Sequence, residues 1–216
     1  MSLTRLNAAD LALHSPAAGQ CADGLAVGHD EAARDNLRLA MLQLGEIEFI
    51  AGDHPHISFA PALCQALTET ARALAAVHAY STADSYLDKA LHWAQVMSST
   101  DTQAELLCAM AEVSANRADL AEAQEDRDTR RLARDHAREQ SFAAARMARQ
   151  TTDPQWEIRV LLRASDVLDR LGDHDDAVHI QQRAMELMGL QDSDAAAGTA
   201  AAPFDPLRLS APSTLM

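Results

Sequence analysis

Aromatic side chains are scarce in this 216-residue chain, at 4% of the sequence, and Lys89 is the only lysine. Gly (8) and Pro (7) are also few, and most fall between the periodic segments instead of within them. No run of alternating β-branched residues is present, so nothing reads as a strand. No stretch approaches the roughly twenty consecutive apolar residues of a membrane span, and no apolar core follows Arg5 as an export signal requires, which predicts a soluble, cytoplasmic protein. Three cysteines, Cys21, Cys64 and Cys108, are far apart and unlike any metal-binding spacing. Their odd number points to free thiols in a reducing compartment.

Cationic charge is short as well. Eighteen Lys and Arg face thirty-two Asp and Glu, for a formal net charge of −14. Neutralising phosphates requires a basic face, so nucleic acid is not expected as a partner, and neither is an anionic membrane. The cations that remain are almost all Arg, which pairs bidentately with carboxylates.

What is abundant is Ala and Leu at helical spacing. Gln155–Leu190 is the clearest stretch. Asp153 caps a helix that Pro154 can start. Ile158, Leu161, Leu162, Val167, Leu168 and Leu171 then form an apolar stripe. Gly172 follows where a left-handed residue ends a helix, and Asp173 or Asp175 can cap the next one. Ala177, Val178, Ile180, Ala184, Leu187 and Met188 line that second helix. The same intervals recur upstream at Leu67, Thr70-Ala71, Leu74, Ala83, Leu87 and Ala90, with a poorer copy starting at Cys108-Ala109. Small residues such as Ala71, Ala83, Ser165 and Ala177 would let helix axes approach closely.

These positions resemble the tetratricopeptide repeat: Leu161, Ala164-Ser165, Leu168, Gly172, Ala177 and Ala184 fall in its pattern, although an aromatic slot holds Gln181. The resemblance implies an all-α, short right-handed solenoid of antiparallel hairpins. It also implies a non-catalytic adaptor or scaffold that binds a protein or peptide in a groove lined by the first helix of each repeat. Carried onto this chain, the groove residues are Gln65, Glu69, Arg72, Gln103, Met110, Arg159, Arg163, Asp166 and Arg170. A secretion-type chaperone of the acidic class, or an enzyme subunit on a helical bundle, are the alternatives.

The expected organisation is a disordered segment over 1–28, a repeat domain over 29–190 and a disordered tail over 191–216. Within the domain, helices are expected over 29–51, 58–78, 82–97, capped by Ser81 or Thr82, and 102–115. Asn116–Asp119 reads as a turn. Residues 119–135 read as a charged insertion, either a loop or an extended helix, with pairs Asp126–Arg130 and Asp135–Arg138. His54-Pro55-His56 and Asp173–Asp176 do not complete a metal site, and no nucleophile, phosphate-loop or HExxH motif occurs, so neither catalytic residues, metal nor cofactor is expected.

Overall fold

The computed structural model describes residues 24–52 and 56–189, with side chains from residue 31 onward. Seven α-helices account for nearly all of it: α1 (Gly24–Ala51), α2 (Ala60–Ala76), α3 (Tyr80–Val96), α4 (Thr100–Ala123), α5 (Arg127–Ala148), α6 (Pro154–Arg170) and α7 (His174–Leu187). A short 3-10 turn, Ile57–Phe59, leads into α2. No strand occurs among the described residues. The chain is all-α, and among the described residues no helix is long and apolar enough to cross a membrane. Of the segments expected to be disordered, 1–28 and 191–216, residues 1–23 and 191–216 lie outside the described residues, as do Asp53 to Pro55, while 24–28 are helical. α1 begins at Gly24, five residues ahead of the expected start at His29.

Each helix packs on its neighbours in sequence, and α4 also packs on α2 and α6. α2/α3, α4/α5 and α6/α7 are the three tightest pairs, so the chain is a series of helical hairpins. One turn geometry builds several of them. After α2, α3, α4 and α6 a residue adopts a left-handed conformation: His78 (φ 62°), Ser98 (φ 53°), Glu125 (φ 57°) and Gly172 (φ 81°). In each case the next amide reaches back to the carbonyl five residues earlier: Ala79 to Leu74, Ser99 to Ala94, Asp126 to Ala121 and Asp173 to Leu168, at 2.9–3.1 Å. This double closure satisfies the last carbonyls of the helix. Only Gly172 adopts that conformation without a Cβ penalty, and so only there is the turn visible as a glycine.

α4 and α5 differ from the expectation. Asn116–Asp119 is helical, and α4 continues to Ala123. The turn is only three residues, Gln124 to Asp126, and α5 starts at Arg127. The charged insertion is therefore two long helices, of 24 and 22 residues against 17 in α2, α3 and α6. Asp126 serves as the cap, accepting the Thr129 amide at 3.1 Å, so it does not pair with Arg130, which bridges to Glu122 at 3.0 Å. Asp135 likewise loses Arg138 to Asp176 at the start of α7, in the next hairpin (2.5 Å). α3 starts on Ala79 with no side-chain cap, which puts Ser81 and Thr82 inside the helix. Asp173 holds the cap position of α7 without a side-chain capping bond, while Asp153 caps α6 as expected and Ser99 caps α4.

The core is mostly Ala and Leu. Ala71, Ala83, Ser165 and Ala177 are all buried, consistent with close helix approach. α4 is buried almost all round, from Ala104 through Leu106–Ala111 to Val113, Ala118 and Ala121. A helix covered on most sides keeps only a narrow polar strip, so its apolar residues give no clear stripe to read. Cys64 and Cys108 are buried, and burial pushes their thiols up, to about 11 and about 12. Gly45, in the middle of α1, has no heavy atom of the described residues within 4 Å of where a Cβ would stand, so nothing among those residues explains a glycine that costs a helix about 0.5–1 kcal/mol relative to Ala.

Candidate functional site

α2, α4 and α6 share one polar face, and along α4 and α6 it is closed by a ladder. The Trp156 indole N–H donates to Glu105 Oε1 at 3.0 Å. Arg163 donates to Glu112 Oε1 through Nε (2.9 Å) and Nη2 (2.6 Å). Arg170 donates to Asn116 Oδ1 at 2.8 Å and also bridges to Asp119. Trp156, Arg163 and Arg170 are seven residues apart, as are Glu105, Glu112 and Asp119. The offset between partners is always 51, so α4 and α6 run parallel in register, two turns per rung. Of the two ion-paired rungs the middle one is the more protected: its side chains are 28% and 33% exposed, against 45% and 56% for Arg170 and Asp119. Burial opposes the Arg163 charge, but Glu112 outweighs it and the guanidinium is held above its ordinary range.

Between α2 and α4 no such ladder forms. A cleft of about 390 Å³ lies there instead, lined by Gln65, Thr68, Glu69 and Arg72 of α2 and by Thr102, Glu105 and Leu106 of α4. Gln65 donates to Glu69 at 3.0 Å. A second cleft, of about 510 Å³, runs along α6 past Trp156, Arg159, Leu162, Arg163 and Asp166. The Trp156–Glu105 bond joins the two clefts, since Glu105 lines the first and Trp156 the second. Arg72 and Arg159 are exposed and make no hydrogen bond or ion pair among the described residues.

The residues singled out by the sequence divide accordingly. Gln65, Glu69 and Arg72 line the first cleft, and Arg159, Arg163 and Asp166 the second. Arg170 lies on the same face beyond them, engaged with α4. Two assignments are corrected. Met110 is 7% exposed and belongs to the core, and Gln103 turns away toward the Ala94 carbonyl of α3 (3.5 Å). Both sit two residues from the ladder positions Glu105 and Glu112, and a two-residue slip turns a side chain by about 200°, onto the opposite face. Thr68, Glu105, Leu106 and Glu112 were missed. The signal for the carboxylates was the seven-residue spacing of Glu105, Glu112 and Asp119, matched by that of Trp156, Arg163 and Arg170.

Among the described residues no group of three His, Cys, Asp or Glu is placed to hold a metal ion. His56 caps the turn before α2 by accepting the Ser58 amide at 3.2 Å. His174 pairs with Asp169 at 2.6 Å, and Asp173 and Asp176 pair with Arg138. No family model matches the chain, and neither a curated protein nor a solved structure matches it.

Proposed function

We propose that this chain is a non-catalytic adaptor, a short right-handed solenoid of tetratricopeptide-like hairpins that binds a protein segment along the α2, α4 and α6 face, in the cytoplasm and without metal or cofactor. The observation that carries this reading is the contrast along one face. Between α4 and α6 the side chains of Trp156, Arg163 and Arg170 are turned inward, onto the neighbouring helix. Between α2 and α4 the face is left open as a cleft lined by Arg72, and Arg159 lines the second cleft along α6; neither pairs with a carboxylate among the described residues. Repeated hairpins, alternate helices packed on each other and parallel α4 and α6 all support the repeat architecture.

The partner's chemistry follows from the charge. At −14 the chain repels polyanions at long range and draws in segments with a basic overall character. At short range the two unpaired guanidiniums each suit a carboxylate or backbone carbonyl of the bound segment. Nucleic acid is disfavoured by the same arithmetic.

The test is Arg72→Glu together with Arg159→Glu, measured against a peptide ligand selected by display on the wild type. Hydrogen bonds to charged groups contribute about 1.5–3 kcal/mol each, so binding should weaken at least about tenfold. Both side chains are exposed and unpaired, so the thermal melt should not move. Unchanged affinity in a folded double variant would remove the groove assignment.

A further inference from the structure

We propose that the outward face of α1 is a docking surface for a second copy of this chain, with two α1 helices lying antiparallel across a twofold axis at Leu42. α1 is apolar on two sides. One side, Leu37, Ala40 and Leu44, is buried, and Thr70 of α2 donates to the Ala40 carbonyl at 3.4 Å. The other side stands open: Leu39 is 56% exposed, Leu42 66%, Phe49 86% and Ile50 68%. Leu39, Leu42, Glu46 and Phe49 recur at steps of three and four, a continuous stripe along the helix and the pattern of a helix seam.

Charge and shape select a second copy and one orientation. A parallel pair in register would set Glu46 against Glu46 and Asp35 against Asp35. An antiparallel pair centred on Leu42 sets Arg38 against Glu46 of the second copy, because the two lie four residues to either side of the centre. In the same register Leu39 lies against the second copy's Gly45, three residues to either side. Gly45 is where α1 offers open space and no Cβ, which gives this helix-interior glycine a role that the other described residues do not. Among the described residues Arg38 is otherwise held only by Asp35, in a solvent-exposed pair at 2.9 Å. Such an interface is isologous, each residue meeting its counterpart twice. Built on one helix per copy it is small, so association should depend on concentration.

Sedimentation equilibrium of the full chain across the micromolar range tests this. The expected result is a mass rising toward twice that of the chain. Leu42→Glu and Phe49→Glu should each yield a monomer with an unchanged melt, since both positions are exposed in the single chain. Arg38→Glu should weaken the dimer at least tenfold, and Arg38→Glu with Glu46→Arg should restore it, a rescue that general loss of structure could not produce. A wild type that stays monomeric, a dimer that survives Phe49→Glu and Leu42→Glu, or a charge swap that restores nothing would overturn the proposal. So would a monomer whose α1 face binds an apolar dye only after residues 1–23 are removed, because the face would then be covered from within the chain.

Discussion

Leu161→Ala is expected to cost about 2–5 kcal/mol of stability, a large part of the roughly 5–15 kcal/mol that a domain of this kind has to lose. Leu161 is wholly buried, in a cluster with Ile158 and Leu168 of α6, Ala145 of α5 and Ala177, Ile180 and Ala184 of α7. Many of its neighbours are alanines, whose side chains are too short to collapse into the space a leucine leaves. The cavity should therefore persist, which puts the cost above that of transfer alone. The next residue provides the control. Leu162 is 38% exposed on the cleft side, and Leu162→Ala should cost well under half as much. Denaturant midpoints for the two variants should separate clearly. Equal losses would mean that α6 is rotated from the orientation described.

The second large effect concerns the ladder. Arg163→Glu is expected to destabilise the fold by about 1–3 kcal/mol, because it sets three carboxylates, with Glu105 and Glu112, along one half-buried seam. Arg159→Glu, one turn away and unpaired, should leave stability within about 0.5 kcal/mol. The two arginines look alike in the sequence, both lying on the α6 face, and would be expected to serve a partner equally. The structure separates them: one holds two helices in register and the other is free. Reversing the pair, Arg163→Glu with Glu112→Arg, should recover at least half of the loss. A stable Arg163→Glu single variant would show that the rung contributes little to the fold.

How far the sequence alone reached depended on how evenly each helix is covered. α6 was plain because one side is buried and the other solvated, and because Asp153, Pro154 and Gly172 mark both ends. α4 was obscure for the opposite reason. It is surrounded by α2, α3, α5 and α6, so apolar residues occur on all sides and its phase cannot be taken from a stripe. The register was carried over from the flanking copies and landed two residues off, which put Met110 on the surface when it is core. The turn at Gln124–Asp126 was hidden too, since Glu125 takes the left-handed position that glycine usually announces. Polar residues in α4 held the better signal: Glu105, Glu112 and Asp119 fix its phase once they are matched to Trp156, Arg163 and Arg170.

The central claim is that a protein segment binds along the α2, α4 and α6 face. Hydrogen–deuterium exchange of the full chain, with and without the display-selected peptide, addresses it most directly. Bound peptide should slow exchange in α2 around Gln65–Arg72, in the first turns of α4 around Thr102–Leu106, and in α6 around Trp156–Arg163. Amides of α5 around Arg131–Glu139, on the far side of the α4/α5 hairpin, should exchange as before. Protection confined to α5 or to the outward face of α1, with α2 and α6 unchanged, would contradict the account.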